Sequence, residues 1–155
     1  MSEQFSPLEQ EIVDLERKLE NSVNGAFNED PGDALKYFDT IKMRFFDVMP
    51  HEGGHYGGLE IPSDHFVAHW YKIAPMFVGK IQFLSLQPHA CGDVGFVSMI
   101  QYYKGRTRDG QEFEMALRAT DGLRKRDGEW KIVHEHLSFP IDMTTREGQP
   151  TLWRP

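Results

Sequence analysis

The amino-terminal part of the chain carries a helical pattern of apolar positions. Ser6 and Glu9 have the spacing of a capping box, and Pro7 between them suits the first position of a helix. Apolar side chains then recur every three or four residues, which predicts one long amphipathic helix. They are Leu8, Ile12, Leu15, Leu19 and Val23. A short second helix is expected over residues 32–39.

The remaining chain alternates between apolar and polar positions, apart from one further helix. Residues 41–47 alternate as a strand does, whereas apolar residues at helical spacing return after Pro62. Those residues are Phe66, Trp70, Ile73 and Phe77. After Gly79 the alternation continues, interrupted by tight turns, two of which contain the Asp-Gly pairs that favour hairpins. The four long strands predicted there span residues 80–88, 94–104, 111–125 and 130–139.

This order of elements predicts the fold class. A meander that is apolar on one face must bury that face, and the helices are the elements available to cover it. Long strands also coil strongly. We therefore expect an α+β fold, in which a cone-shaped, strongly curved antiparallel β-sheet is covered by three N-terminal helices and encloses an apolar pocket. The chain is predicted to form one domain, residues 1–155, with a core at about 6–140 and a C-terminal tail at 141–155.

Composition and charge exclude several classes of partner. The 155 residues include 24 acidic and 17 basic ones, for a formal net charge of −7, so the surface repels nucleic-acid backbones. No run approaches the roughly 18 apolar residues that a membrane-spanning helix needs. The N-terminus lacks the basic start of a secretory signal, and the single cysteine, Cys91, fits a reducing compartment. We expect a cytoplasmic protein that binds neither nucleic acid nor membrane.

One stretch of sequence resembles a known family. Residues 118–136, RATDGLRKRDGEWKIVHEH, resemble the closing hairpin of SnoaL-like domains, which belong to the nuclear transport factor 2-like superfamily with the ketosteroid isomerases and polyketide cyclases. Residues 30–47 resemble the second helix and first strand of that family, and residues 92–94 resemble the entry to its central strand. The resemblance implies the same cone-shaped sheet and a homodimer formed through its outer face.

The resemblance also suggests a pair of catalytic carboxyls. It places Asp47 where ketosteroid isomerases keep the carboxylate that shuttles a proton, and Asp121 where they keep a protonated acid that donates to an oxyanion. The tyrosine that completes their set aligns near Val23, which cannot donate a hydrogen bond. Alternation supports inward positions for both acids. Asp47 lies two residues after the apolar Phe45, and Asp121 has the same parity as a series of apolar residues on its strand. Alternatively, Asp121 pairs with a buried arginine or histidine and only holds the fold.

Two histidines and a glutamine complete the candidate polar groups. His134 and His136 share the parity of Trp130 and Ile132, so at least one is expected to face the interior. His136 is the candidate catalytic residue of the two, and the alternative is a core histidine that locks the final hairpin to Asp121. The predicted ligand-binding residues are Phe45, Tyr56, Phe66, Trp70, Met99, Gln101 and His134.

No metal or cofactor site is predicted. His51 to His55 match the pattern HExxH, but this pattern binds zinc only on a helix, where its two histidines meet the same ion. The two central glycines make a helix unfavourable there, so a mobile loop at the pocket mouth is the expected role.

These observations favour one function and leave another open. The favoured hypothesis is a SnoaL-like protein that binds a small apolar or aromatic molecule and acts as a cofactor-free isomerase, cyclase or hydratase. Asp47 or His136 would be its base, and protonated Asp121 its hydrogen-bond donor. The alternative is a non-catalytic ligand-binding or dimerisation domain.

Overall fold

The computed structural model describes residues 4–26 and 30–153, so the last two residues of the predicted tail lie outside the described part. The helices are α1 (Pro7–Ala26), a 3-10 helix (Asp33–Tyr37), the single turn α2 (His55–Gly58), α3 (Ser63–Ile73) and a 3-10 turn (Ala74–Met76). The strands are β1 (Arg44–Phe46), β2 (Ile61–Pro62), β3 (Phe77–Cys91), β4 (Val94–Thr107), β5 (Glu112–Arg126) and β6 (Glu129–Ser138). The predicted order of elements is confirmed, and β2 is a short addition that the pattern did not indicate.

The strands form one curved, open sheet in the order β2-β1-β6-β5-β4-β3. The four long strands make the predicted antiparallel meander, whereas β1 pairs with β6 in parallel. The Asp127-Gly128 turn between β5 and β6 has positive φ at both residues, 52° and 82°, as an Asp-Gly hairpin requires. The predicted α+β class, with helices over a curved sheet, is confirmed.

Helix α1 begins where its capping box predicts, and its side chains form hydrogen bonds with the edge strand β3. The Ser6 amide donates to Glu9 Oε2 at 2.8 Å, and the Glu9 amide donates to Ser6 Oγ at 3.3 Å. Further along the helix, the Arg17 guanidinium donates to the Phe83 carbonyl at 2.7 Å, and Glu20 accepts from the Phe83 amide at 2.7 Å. These bonds satisfy backbone groups that edge strand β3 would otherwise expose beside its bulge.

Two facing glycines allow the close approach of β3 and β4 at the base of the sheet. Gly79 and Gly105 pair directly in the ladder. A Cβ atom on either glycine would come closer than 3.0 Å to backbone atoms of the facing strand. Side chains are therefore excluded at this pair, and the two strands bend together there.

The outer face of the sheet is partly covered by the end of the chain. The Ala116 amide donates to the Pro150 carbonyl at 2.8 Å, and the Trp153 ring packs edge-on against Tyr102 at 5.9 Å. None of the described helices is both long and apolar enough to cross a membrane. The single-domain organisation and the homodimer through this outer face stay predictions.

Candidate functional site

The concave side of the sheet and helices α1 and α3 enclose a cavity. Its volume, as the space open to the centre of a water molecule, is about 60 Å³. That space holds a few waters, since one water needs about 10–15 Å³ by this measure. Leu19 and Val23 line it from α1, and Phe66 and Trp70 line it from α3. The polar residues on its wall are Asp47, Gln101, Tyr103 and Glu135.

Aromatic side chains form the helical wall of the cavity and fix one another. The Phe66 ring lies 5.0 Å from the Phe38 ring and 5.7 Å from the Phe45 ring, measured between centroids. The Trp70 indole N–H donates to the Pro31 carbonyl, which fixes the orientation of its ring on the cavity wall. The cavity wall is therefore apolar and pre-organised, as in small-molecule sites.

Three of the polar residues form a hydrogen-bonded row across the sheet. The Tyr103 hydroxyl donates to Gln101 Oε1 at 2.9 Å, and Gln101 Nε2 donates to Glu135 Oε1 at 3.2 Å. Gln101 is 2% exposed and Glu135 7%. Because Tyr103 sets the orientation of the Gln101 amide, the glutamine presents its N–H group to the carboxyl of Glu135.

Burial changes the ionisation of this row. Desolvation raises the pKa of Glu135 to about 7, with the charge of Asp47 acting in the same direction and the Gln101 hydrogen bond opposing it. Burial, followed by the charges of Glu135, Asp47 and Asp121, raises the pKa of Tyr103 well above its ordinary value. At neutral pH the tyrosine therefore keeps its proton, and Glu135 is present in both its acid and its carboxylate forms.

Asp47 lies at the end of β1 and belongs to a second polar chain. Its Oδ2 atom lies 2.7 Å from His69 Nε2, and its Oδ1 atom accepts from the Met49 amide at 3.3 Å. The side chains of Asp47 and His69 are 2% and 1% exposed. On its other side, His69 Nδ1 lies 3.1 Å from His51 Nδ1.

Behind the cavity, two acids are buried against each other. Glu16 from α1 and Asp121 from β5 are both 0% exposed, and no N–H or O–H donor of the described residues reaches their carboxyl oxygens. Burial is the main cause that raises the pKa of Glu16 to about 8 and that of Asp121 well above its usual range. The charge of Glu135 raises both further. A proton shared between the two carboxyls supplies the hydrogen bond that nothing else provides.

The structure brings five of the predicted site residues to the cavity. They are Phe45, Asp47, Phe66, Trp70 and Gln101. Their roles in binding and catalysis stay predictions. Asp121 faces the concave side, as its parity predicts, but it lies deeper than the cavity lining, opposite Val97. Its partner is the acid Glu16 rather than the arginine or histidine considered from the sequence.

The prediction that His134 or His136 faces the interior is wrong. Leu123 pairs with Ile132, but the next pair joins Gly122 to His134, so β6 contains a bulge at Val133. One extra residue reverses the alternation that follows it. Glu135 therefore points inward, while His136 is exposed. His134 Nδ1–H donates to the Arg44 backbone carbonyl at 2.9 Å.

Tyr56 and Met99 also lie outside the cavity. Tyr56 is 81% exposed, because α2 has a left-handed backbone at this residue, with φ of 53°, and turns its side chain towards β1 and β2. Met99 points inward but is packed in the core, 4% exposed. The next inward residues on β4, Gln101 and Tyr103, are the ones that reach the cavity.

Three residues of the site were missed from the sequence, and two of them left a signal. Glu16 stands four residues after Ile12 and three before Leu19, which places it on the apolar stripe of α1. His69 likewise follows Phe66 by three residues on the stripe of α3. Glu135 left no such signal, because the alternation that begins at Trp130 and Ile132 places it on the outer side, and the bulge is set by the pairing of β6 with β5.

The HExxH segment does not have the geometry of a zinc site. Only its last residue, His55, belongs to the single turn α2, and His51 instead contacts His69. Within residues 4–26 and 30–153, no group of three or more His, Cys, Asp or Glu side chains is placed to hold a metal ion.

Several solved structures are similar to this chain over nearly its whole length. A protein of unknown function from Pseudomonas putida KT2440, described as NTF2-like, is 23% identical, with a TM-score of 0.75 and coverage of 95% of this chain and 96% of that one. A nuclear transport factor 2-like superfamily protein from Salmonella enterica is 19% identical, with a TM-score of 0.70 and coverage of 91% and 96%. The association domain of C. elegans CaMKII is 20% identical, with a TM-score of 0.60 and coverage of 83% and 93%.

These likenesses establish the fold, and the sequence establishes the family. No curated protein matches the chain significantly. A family model described as a SnoaL-like domain matches residues 61–142, more than half of the chain, and includes α3 and the entire meander. The resemblance seen in the final hairpin is thereby confirmed, and the chain belongs to the family of SnoaL-like domains.

Proposed function

We propose that this protein binds a small apolar or aromatic molecule in the cavity and acts on it as a cofactor-free acid–base catalyst of the isomerase, cyclase or hydratase type. The observation that carries the proposal is the placement of Asp47 and Glu135 on one apolar cavity in different environments. Asp47 has a histidine partner at 2.7 Å, whereas burial raises the pKa of Glu135 to about 7. Pairs of titratable groups with such contrasting environments supply the acid and the base of a reaction.

The arrangement divides the roles as follows. Asp47 accepts a proton from a carbon next to a carbonyl group, or from a water, and returns it to another position of the substrate. Glu135 in its acid form donates a hydrogen bond to the oxygen on which negative charge develops. This role replaces the one that the sequence suggested for Asp121, which we assign to the proton-sharing pair behind Glu135. Exposed His136 has no part in it.

The small cavity limits the size of the ligand. A space of about 60 Å³ accepts little more than a few waters, so any organic ligand must displace a wall. The loop that follows β1 lines the cavity with Val48 and Met49, and it contributes no strand pairing there. A shift of the Val48 and Met49 side chains, with the Met49 amide still bound to Asp47, would enlarge the site. The small volume of the cavity favours small or flat substrates.

Proton abstraction from a simple ketone tests the proposal directly. Cyclopentanone is incubated with the protein in D₂O, and the loss of its α-proton signal is followed by NMR for the wild type and for Asp47→Asn, Glu135→Gln and His136→Gln. We expect Asp47→Asn to lower the exchange rate by about 100-fold or more, the typical contribution of a general base. Glu135→Gln should lower the rate by a smaller factor, and His136→Gln should leave it unchanged.

A non-catalytic binding or assembly domain is the alternative, and one observation favours it. Val23 lines the cavity where the resemblance to ketosteroid isomerases places a tyrosine, so one hydrogen-bond donor of that reaction is replaced by an apolar side chain. The similar association domain of C. elegans CaMKII has the same fold and is named for association rather than for a reaction. Mass spectrometry that finds a co-purified small molecule, together with no exchange above buffer for the wild type, would support this alternative.

A further inference from the structure

A continuous polar chain leads from the cavity to the protein surface. It starts at Asp47 on the cavity wall, passes through His69, whose side chain is 1% exposed, and ends at the partly exposed His51. The two links measure 2.7 Å and 3.1 Å between heavy atoms, both within hydrogen-bonding distance. The residues come from three segments: the end of β1, α3, and the loop between them.

The chemistry of the atoms sets the direction of both hydrogen bonds. A carboxylate only accepts, so His69 Nε2 carries the hydrogen that it shares with Asp47. In a neutral imidazole the other nitrogen is then an acceptor, so His69 Nδ1 accepts. With His69 in its neutral form, the hydrogen between the two histidines lies on His51 Nδ1. The geometry thus assigns one tautomer to each histidine.

We propose that His69 and His51 are positioning residues for Asp47, with His69 holding the carboxylate and His51 holding the tautomer of His69. The proposal rests on the function proposed above, in which Asp47 is the base. His69 and the Met49 amide bind opposite oxygens of Asp47, so its plane is fixed relative to the cavity. The Phe45 ring packs edge-on against His69, with 5.8 Å between the ring centroids, and restricts rotation of the imidazole.

The surroundings of His51 favour its neutral form. Burial is the main cause that lowers its pKa, followed by the charges of His69, His65 and Lys72, while Glu52 acts in the opposite direction. The His65 ring lies 5.4 Å from the His51 ring. Protonation of His51 below its pKa adds a hydrogen at Nε2 and leaves the Nδ1–H donor in place. The chain of hydrogen bonds is therefore expected to persist across the neutral pH range.

Tautomers read by NMR test this arrangement without any substrate. Long-range ¹H–¹⁵N spectra of the ¹⁵N-labelled full-length protein at pH 7.5 are expected to show His69 with its hydrogen on Nε2 and His51 with its hydrogen on Nδ1. The second assignment is diagnostic because a free neutral imidazole of histidine prefers the other form. In His69→Phe, which removes the acceptor, His51 should revert to that free preference. His89→Gln, at an exposed histidine on β3, is the matched control and should change neither spectrum.

Kinetics with cyclopentanone then separate a positioning role from a structural one. We expect His51→Phe to lower the rate of deuterium exchange by about 10- to 100-fold, the scale of small misplacements of a catalytic group, at unchanged urea midpoint. A His51 hydrogen on Nε2, or an unchanged exchange rate in His51→Phe, would overturn the proposal while the base role of Asp47 stood. If both histidines show the expected tautomers but the wild type does not exchange the α-protons of cyclopentanone, the proposed function is contradicted. Asp47 would then have no role as a base for His69 and His51 to support.

Discussion

The buried pair of Glu16 and Asp121 makes the stability of the protein depend on pH in a direction opposite to that of most carboxyls. Burial, followed by the charge of Glu135, raises the pKa of Glu16 from 4.5 to about 8 in the folded protein, while the hydrogen bond with Asp121 and then the charge of Arg17 act in the opposite direction. In the unfolded chain the pKa returns to its ordinary value. The folded state therefore binds more protons than the unfolded state between these two values, and the free energy of unfolding falls as the pH rises through them.

The size of this effect follows from the shift. The contribution of the Glu16 proton to stability is fully present below pH 4.5 and is lost by the time the pH exceeds about 8. At about 1.4 kcal/mol per unit of pKa, the whole window is worth about 5 kcal/mol, and the part between pH 6 and pH 8 about 3 kcal/mol. Solvent does not screen this contribution, because Glu16 is 0% exposed. A loss of this size is a large fraction of the ~5–15 kcal/mol that stabilise a typical domain.

Urea unfolding at pH 6, 7 and 8 measures the loss. For the wild type we expect the free energy of unfolding to fall by about 3 kcal/mol over this range. In Glu16→Gln the amide donates to the Asp121 carboxylate and does not titrate, so the fall should be less than half as large. Asp14→Asn, on the exposed face of the same helix, is the control and should behave as the wild type. A wild-type stability that stays constant or rises from pH 6 to pH 8, or an equal slope in Glu16→Gln, would refute the reasoning.

Four further substitutions probe other parts of the structure. Gly105→Ala places a Cβ against backbone atoms of Val78 and should lower the free energy of unfolding by about 2–4 kcal/mol. Gly25→Ala has open space around it in α1 and should raise the free energy of unfolding by about 0.5–1 kcal/mol. Urea midpoints that shift in the same direction for both variants would contradict this. Ser6→Ala removes the capping box and should lower stability by about 1 kcal/mol, seen as a lower Tm. Phe66 is 1% exposed, so Phe66→Ala should lower the free energy of unfolding by about 3–5 kcal/mol. The enlarged cavity should bind benzene, which would raise the Tm of the variant. An unchanged Tm with benzene would argue against a dry apolar cavity.

Local pattern was sufficient for the secondary structure and for most of the cavity wall. The capping box at Ser6 and Glu9 depends on residues three apart, and the Asp127-Gly128 turn depends on adjacent ones, so neither needs the rest of the chain. Parity along β1 was also enough to place Phe45 and Asp47 on the inner side. The family resemblance implied the curved sheet covered by helices, whereas the parallel pairing of β1 with β6 was seen only in the structure.

Parity failed at β6, where the ladder changes register. The alternation that begins at Trp130 predicts an inward His136, but the bulge opposite Gly122 and Leu123 brings Glu135 to the cavity instead. A bulge is decided by how two strands pair over their whole length, which a single strand does not encode. The acid that lines the cavity was therefore found only from the structure.

Outside β6, the sequence by itself determined which side chains turn inward, whereas only the tertiary structure decided which of them meet. Glu16, Asp121 and His69 all stand on apolar stripes, yet nothing local reveals that the first two face each other or that the third joins Asp47 to His51. Burial alone makes such groups costly, and their partners determine whether they share a proton, orient a carboxylate or line a cavity. Those partners come from elements that are distant in sequence, so their chemistry is a property of the packing.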